Sequence, residues 1–141
     1  MTRQLKDVGE YFDHAQRMLE RHGCDAEPLL PSGQLFEYEL NERGEYTGRG
    51  HLSGRISFPE WSDAYLSIED WLQPRRGYIV RQSYAYDLIF RGDRLENWHR
   101  HHGTEHRHDG HERRPINRVT LEEAIKKSRD VLARGAIPPE D

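Results

Sequence analysis

From Gln34 to Arg91 the apolar residues of this chain recur at every second position, and that period limits the fold more than any other feature. Phe36, Tyr38 and Leu40 alternate with Glu37 and Glu39, and Leu52, Ile56 and Phe58 with His51, Ser53, Arg55 and Ser57. Leu66, Ile68 and Leu72 oppose Tyr65, Glu69 and Trp71. A longer run sets Val80, Tyr84, Tyr86, Leu88 and Phe90 against Arg81, Ser83, Asp87 and Arg91. Successive side chains of a strand point to opposite faces, so each segment reads as a half-buried strand with one apolar side. The connection Pro74-Arg75-Arg76-Gly77 joins the last two and favours an antiparallel meander.

At both ends the period becomes helical. Leu5, Val8, Phe12, Ala15 and Leu19 form one stripe, widened by Tyr11 and Met18, with Thr2 placed to cap it and Gly23 to end it. Pro28, Pro31 and Gly33 make the next stretch a connector. Near the other end, Thr120 with Glu123 three residues on is a capping box leading into Leu121, Ala124, Ile125, Ser128 and Leu132, with a stop at Gly135. Leu95 to His101 reads as a fifth strand or the start of a loop, and the segment beyond it, with Gly103 and Gly110, as loop. The expectation is an α+β fold: a single domain with an antiparallel twisted sheet of four or five strands, an N-terminal and a C-terminal helix on one face, and the polar set on the other. Residues 1–33 are the first helix and connector, 34–135 the core with a histidine-rich loop, and 136–141 a tail.

Composition narrows function. A chain of 141 residues with one cysteine, Cys24, has no internal disulfide and no cysteine metal site. No stretch approaches the roughly 20 apolar residues of a membrane helix. The first residues carry no hydrophobic signal region, so the expectation is a cytoplasmic protein without membrane association. A net charge of -4 argues against indiscriminate coating of nucleic acid. Charge is uneven, however: seven arginines against five acids lie between Arg91 and Arg118. That leaves room for a local cationic site on an acidic body.

The chemistry concentrates in the same region. Six of the nine histidines (His99, His101, His102, His106, His108 and His111) fall within fourteen residues. Imidazole both takes and gives a proton near neutral pH, and as the neutral ring it binds transition metals. His106 and His108, two apart, share a face at about 6 to 7 Å if the backbone is extended, close enough for both to reach one phosphate. Arg91 can offer a bidentate contact to phosphoryl oxygens, and Asp93 can orient it or a histidine. Arg100 and Arg107 are candidates for substrate binding, His102 for catalysis. Tyr84 and Tyr86 lie on the more apolar face, where packing is the simpler role. His14, His22 and His51 read as exposed, and Trp61, Trp71 and Trp98 as packing residues, since no regular aromatic spacing accompanies them. A second function class is a zinc or manganese centre drawn from His99, His101, His106 and His108 with Asp93, Glu105 or Asp109. A third is an interaction module without catalysis.

Taken together, Leu52-Ser53-Gly54-Arg55-Ile56-Ser57-Phe58, Tyr65-Leu66-Ser67-Ile68-Glu69, Tyr84-Ala85-Tyr86, Phe90-Arg91-Gly92-Asp93 and His106-Arg107-His108 with a short C-terminal helix resemble the TumE-like toxins of prokaryotic toxin-antitoxin pairs. The likeness runs roughly from Gly50 to Arg134. It departs from the family's pattern at Gly92, where an aromatic is usual, at Arg94, where an asparagine is usual, and in the added leading helix. The resemblance implies a toxin acting on RNA inside the cell and neutralised by a cognate antitoxin protein. Separately, no cofactor is expected, with a zinc or manganese ion as the alternative, and the chain is compatible with a homo-oligomer. It marks Glu69, Tyr84, Arg91, Asp93, His106 and His108 as the positions that carry function.

Overall fold

The computed structural model describes residues 5–101, 104–109, 112–115 and 118–134, with side chains described outside 101–117. Helix α1 (Val8–Arg21) starts at Asp7, whose carboxylate accepts from the Glu10 N–H. The expected cap, Thr2, lies outside the described residues, and the helix begins later because Asp7 supplies the acceptor that its first turn needs. Gly23, at a φ of +65°, closes it in the left-handed conformation.

Among the described residues eight strands follow: β1 (Asp25–Pro28), β2 (Phe36–Leu40), β3 (Tyr46–Phe58), β4 (Trp61–Arg75), β5 (Tyr78–Phe90), β6 (Asp93–His101), β7 (Thr104–Asp109) and β8 (Glu112–Pro115). Helix α2 (Leu121–Ala133) ends the described chain, with Thr120 and Glu123 forming the reciprocal capping box. The sheet is antiparallel throughout and follows chain order from β3 to β8, while β1 and β2 share the outer edge of β3. The α+β arrangement with two terminal helices is as the sequence patterns require, but the sheet is wider than four or five strands.

Two corrections account for the extra width. The stretch taken as a connector contributes β1, whose Pro28 is tolerated because it stands at the end of an edge strand. The histidine-rich stretch taken as loop also runs as strand backbone, with β6 paired to β7 and β7 to β8. Gly103 and Gly110, on which the loop expectation rests, lie outside the described residues.

Two hairpins are set by local chemistry. Arg76 and Gly77 (φ 53° and 81°) join β4 to β5, and Arg91 and Gly92 (φ 51° and 84°) join β5 to β6. Two positive φ values in a two-residue connection match the twist of the flanking strands, and glycine adopts the second without strain.

Both helices pack on one face. Val8, Phe12, Ala15 and Leu19 of α1 and Leu121, Ala124, Ile125 and Leu132 of α2 share a core with Leu52, Ile56, Leu66, Ile68, Tyr84, Tyr86, Leu88 and Trp98. Each fully buried aliphatic or aromatic side chain contributes about 1.5–3 kcal/mol, so this layer dominates stability. Gly50 lets α1 approach: a Cβ there would stand 3.0 Å from Phe12 and Val8. The opposite face, carrying Tyr65, Ser67, Glu69, Trp71, Ala85 and Asp87, is only half-buried and has no helix over it among the described residues.

Candidate active site

Antiparallel register builds a row across the open face. Ser53 stands opposite Glu69, Glu69 opposite Ala85, Ala85 opposite His99, and His99 opposite His106. Directly opposed residues share a face, so a polar line crosses β3, β4, β5 and β6 with its smallest member, Ala85, within it, and the backbone of His106 stands opposite its last member. Asp87, diagonal to this row, sets Oδ1 3.2 Å from Nε2 of the nearly enclosed His99. Arg94 Nη1 lies 3.8 Å from the same oxygen. At the other end, Glu69 Oε2 is 3.6 Å from His51 Nε2, and the His51 ring stacks on Trp71 at 5.0 Å. Arg55 lies over the Tyr65 ring at 4.8 Å. Such a surface can orient an imidazole through a carboxylate, offer guanidinium groups to an anion, and present aromatic faces.

The residues singled out in sequence separate into groups. Glu69 and His99 share the row, with His106 opposite His99 in the backbone. Side chains of His101, His106, Arg107 and His108 are outside the described set, although their backbones belong to β6 and β7, with His101 opposite Thr104 and His108 opposite Arg113. His102 lies outside the described residues. Arg91 and Asp93 are at the β5–β6 turn, six residues along β6 from His99, about 20 Å at strand rise. The register therefore keeps them apart from the His99 row. Arg91 instead bonds Asp63, through its backbone N–H to the carbonyl at 3.0 Å and its Nε to the carboxylate at 3.5 Å. Arg100 stands opposite Tyr84 and Glu105. Tyr84 has no exposed surface, in keeping with packing. His22 is not an exposed helix residue, since its Nε2 meets Glu122 Oε2 at 2.8 Å. Trp71 is the aromatic whose surroundings differ most from the packing role, as it lies on the open face beside His51.

Sequence reasoning missed a second constellation, inside the core. Asp70 is fully buried and accepts from Tyr11 Oη at 2.5 Å and from Tyr86 Oη. Arg81 donates to Tyr86 Oη at 2.9 Å and to the Val119 carbonyl at 2.6 Å, and it lies over the Tyr84 ring at 4.1 Å. The Val119 N–H donates to Tyr84 Oη at 3.0 Å. Arg81 was expected on the polar face with Val80 inward. A bulge reverses this: Trp71 pairs with Ser83 and Leu72 with Arg81, so Gln82 is the extra residue and the face changes. Burial raises the Asp70 pKa, while Arg81 and the tyrosine donors act the other way. The phenols of Tyr11 and Tyr86 are held well above their usual value, by burial first and then by the Asp70 charge. The cluster joins α1, the sheet and the approach to α2. Cys24 is buried with its thiol pKa raised by desolvation, which suits an inert residue.

Among the described residues no group of three or more histidine, cysteine, aspartate or glutamate side chains is arranged to hold a metal ion. No helix among them is long and apolar enough to cross a membrane. Comparison with family models, with curated proteins and with solved structures gave no match.

Proposed function

We propose that the chain is the toxin component of a toxin-antitoxin pair and cleaves RNA by histidine acid–base chemistry on the open face of the sheet. The observation that carries this reading is the carboxylate–imidazole pair Asp87–His99 with His106 opposite it in the ladder. Cutting RNA in this way requires three things: removal of the 2′-hydroxyl proton, attack of that oxygen on phosphorus, and protonation of the departing 5′-oxygen. His99 takes the first proton and His106 delivers the last, as the facing backbones are only about 4.5–5.5 Å apart. Asp87 holds His99 through Nε2, so the transfer runs through Nδ1, which is enclosed in the free chain and is uncovered as the RNA seats. Arg94, beside the same Asp87 oxygen, balances the charge that gathers on the phosphoryl oxygens. Glu69 tunes the far side of the row through His51. A cognate antitoxin protein in the same cytoplasm neutralises the activity by covering this face.

Expression in a host lacking the antitoxin tests the reading. The unmodified chain is expected to arrest growth, and His99→Ala and His106→Ala are each expected to relieve the arrest with unchanged circular dichroism. Full toxicity in both variants would remove the proposed pair from the mechanism.

A further inference from the structure

The row next to the proposed catalytic one ends in a cleft of about 470 Å³ between β2, β3 and β4, lined by Glu37, Glu39, Arg49, His51, Trp71 and Gln82 among others. That volume falls within the usual range of about 300–1,000 Å³ for small-molecule sites. Register sets Glu37 beside His51 and His51 beside Trp71, so a carboxylate, an imidazole and an indole follow one another on the open face. The two rings are nearly parallel, 17° apart. Two strands across and two residues along separate Trp71 from His99, about 12 Å by strand spacing and rise. That span suits a base neighbouring a phosphate held at His99.

We propose that this cleft is a guanine subsite flanking the scissile phosphate, an inference that takes its placement from the nuclease reading above. Flat aromatic rings at half-burial stack on unpaired bases, the usual means of holding single-stranded RNA. Carboxylates in the lining repel a phosphate and select a base edge that donates. Glu39 Oε2 already accepts from Thr47 Oγ1 at 2.9 Å, which leaves Glu37, exposed at the edge of the row, as the reading residue. Guanine alone combines two adjacent donors, N1–H and the N2 amine, with two adjacent acceptors, O6 and N7. The first pair matches the two oxygens of Glu37, and the second matches the guanidinium of Arg49. Uracil offers one donor on that edge, and adenine and cytosine set an acceptor beside theirs.

Calorimetric titration of the full chain with guanosine 5′-monophosphate and with uridine 5′-monophosphate tests the subsite without requiring catalysis. The guanine nucleotide is expected to bind at least tenfold more tightly. Glu37→Gln is expected to reduce that preference about tenfold and Trp71→Leu to abolish binding, both with unchanged circular dichroism. Equal affinities, no binding of either nucleotide, or an unaltered preference in Glu37→Gln would overturn the proposal. Cleavage of RNA oligomers is read separately. Guanine preference in binding without any cleavage upholds the subsite and counts against the nuclease reading. Cleavage indifferent to a neighbouring guanine, with equal nucleotide affinities, does the reverse.

Discussion

At Asp70 a charged group sits at the centre of the fold because four neighbours make that position tenable. Tyr11 and Tyr86 donate to it, Arg81 lies close by, and Tyr84 stacks on Tyr86 with ring centroids 5.0 Å apart. Removing one partner of a buried pair leaves an uncompensated charge, so Asp70→Asn is expected to cost about 3–5 kcal/mol in urea unfolding. Tyr11→Phe deletes one hydrogen bond to the carboxylate and is expected to cost about 1.5–3 kcal/mol. Losses of only a few tenths in both variants would show the cluster to be dispensable. Half of this cluster was readable in the sequence, because Asp70 falls between Ile68 and Leu72 on the apolar parity of its strand. Arg81 was not, since the bulge that turns it inward depends on pairing with β4 rather than on any local pattern. On the open face, Asp87→Asn removes the group that orients His99. Its expected effect is a fall in kcat of about 10²-fold or more with KM little changed, read from RNA cleavage kinetics. A change confined to KM would assign Asp87 to substrate binding.

Strands and helices were readable where one face is apolar and obscure where it is not. The alternation from Leu52 to Phe90 located β3, β4 and β5, and the capping box located α2. Strands β7 and β8 carry almost no apolar residues, so their sequence has no period to read and only the ladder reveals them. Edge strand β1 was hidden by its proline. It is held against β3 at Gly54, where a Cβ would stand 2.9 Å from the Glu27 carbonyl oxygen. Gly54→Ala is therefore expected to lower stability by about 1–3 kcal/mol and to speed amide exchange in residues 25–28. Unchanged exchange there would mean that β1 does not depend on this close approach. The two helices are clasped by His22 and Glu122, with Arg21 Nη2 3.7 Å from the same carboxylate oxygen. The His22 hydrogen bond, with Lys126 and Arg21, holds the Glu122 carboxyl below its usual value against the opposing effect of burial. A depressed carboxylate pKa stabilises above the unfolded value near 4.3 and loses its contribution as pH falls through the lower folded value. The gap in stability between the unmodified chain and Glu122→Gln is thus expected to be full above about pH 5 and to close below pH 4. With a third of the side chain in water the gap is no more than about 1 kcal/mol. A gap that persists at low pH would come from packing rather than charge.

For the whole molecule, the sheet divides the work. One side buries the tyrosines, the aliphatic residues and both helices, while the other carries histidines, carboxylates and arginines that the core does not need. Because the long strands are fixed from behind by a closely packed layer, the positions of Asp87, Glu69 and His99 on the front are set by backbone register. Concentration of histidine in the sequence falls on β6 and β7, and the register determines which backbone positions of those strands face each other. Arg91 and Asp93, close to the histidines in the chain, end up about 20 Å away along β6. Distances of that kind are invisible in one dimension when the connecting strand is not recognised as a strand. Cleavage of a single-stranded RNA oligomer by the purified chain in excess EDTA, compared with His99→Ala, tests the central claim most directly. Undiminished cutting by the unmodified chain, reduced about 10²-fold or more in the variant, is the expected result. Activity lost in EDTA and restored by zinc or manganese, or retained in full by His99→Ala, would contradict it.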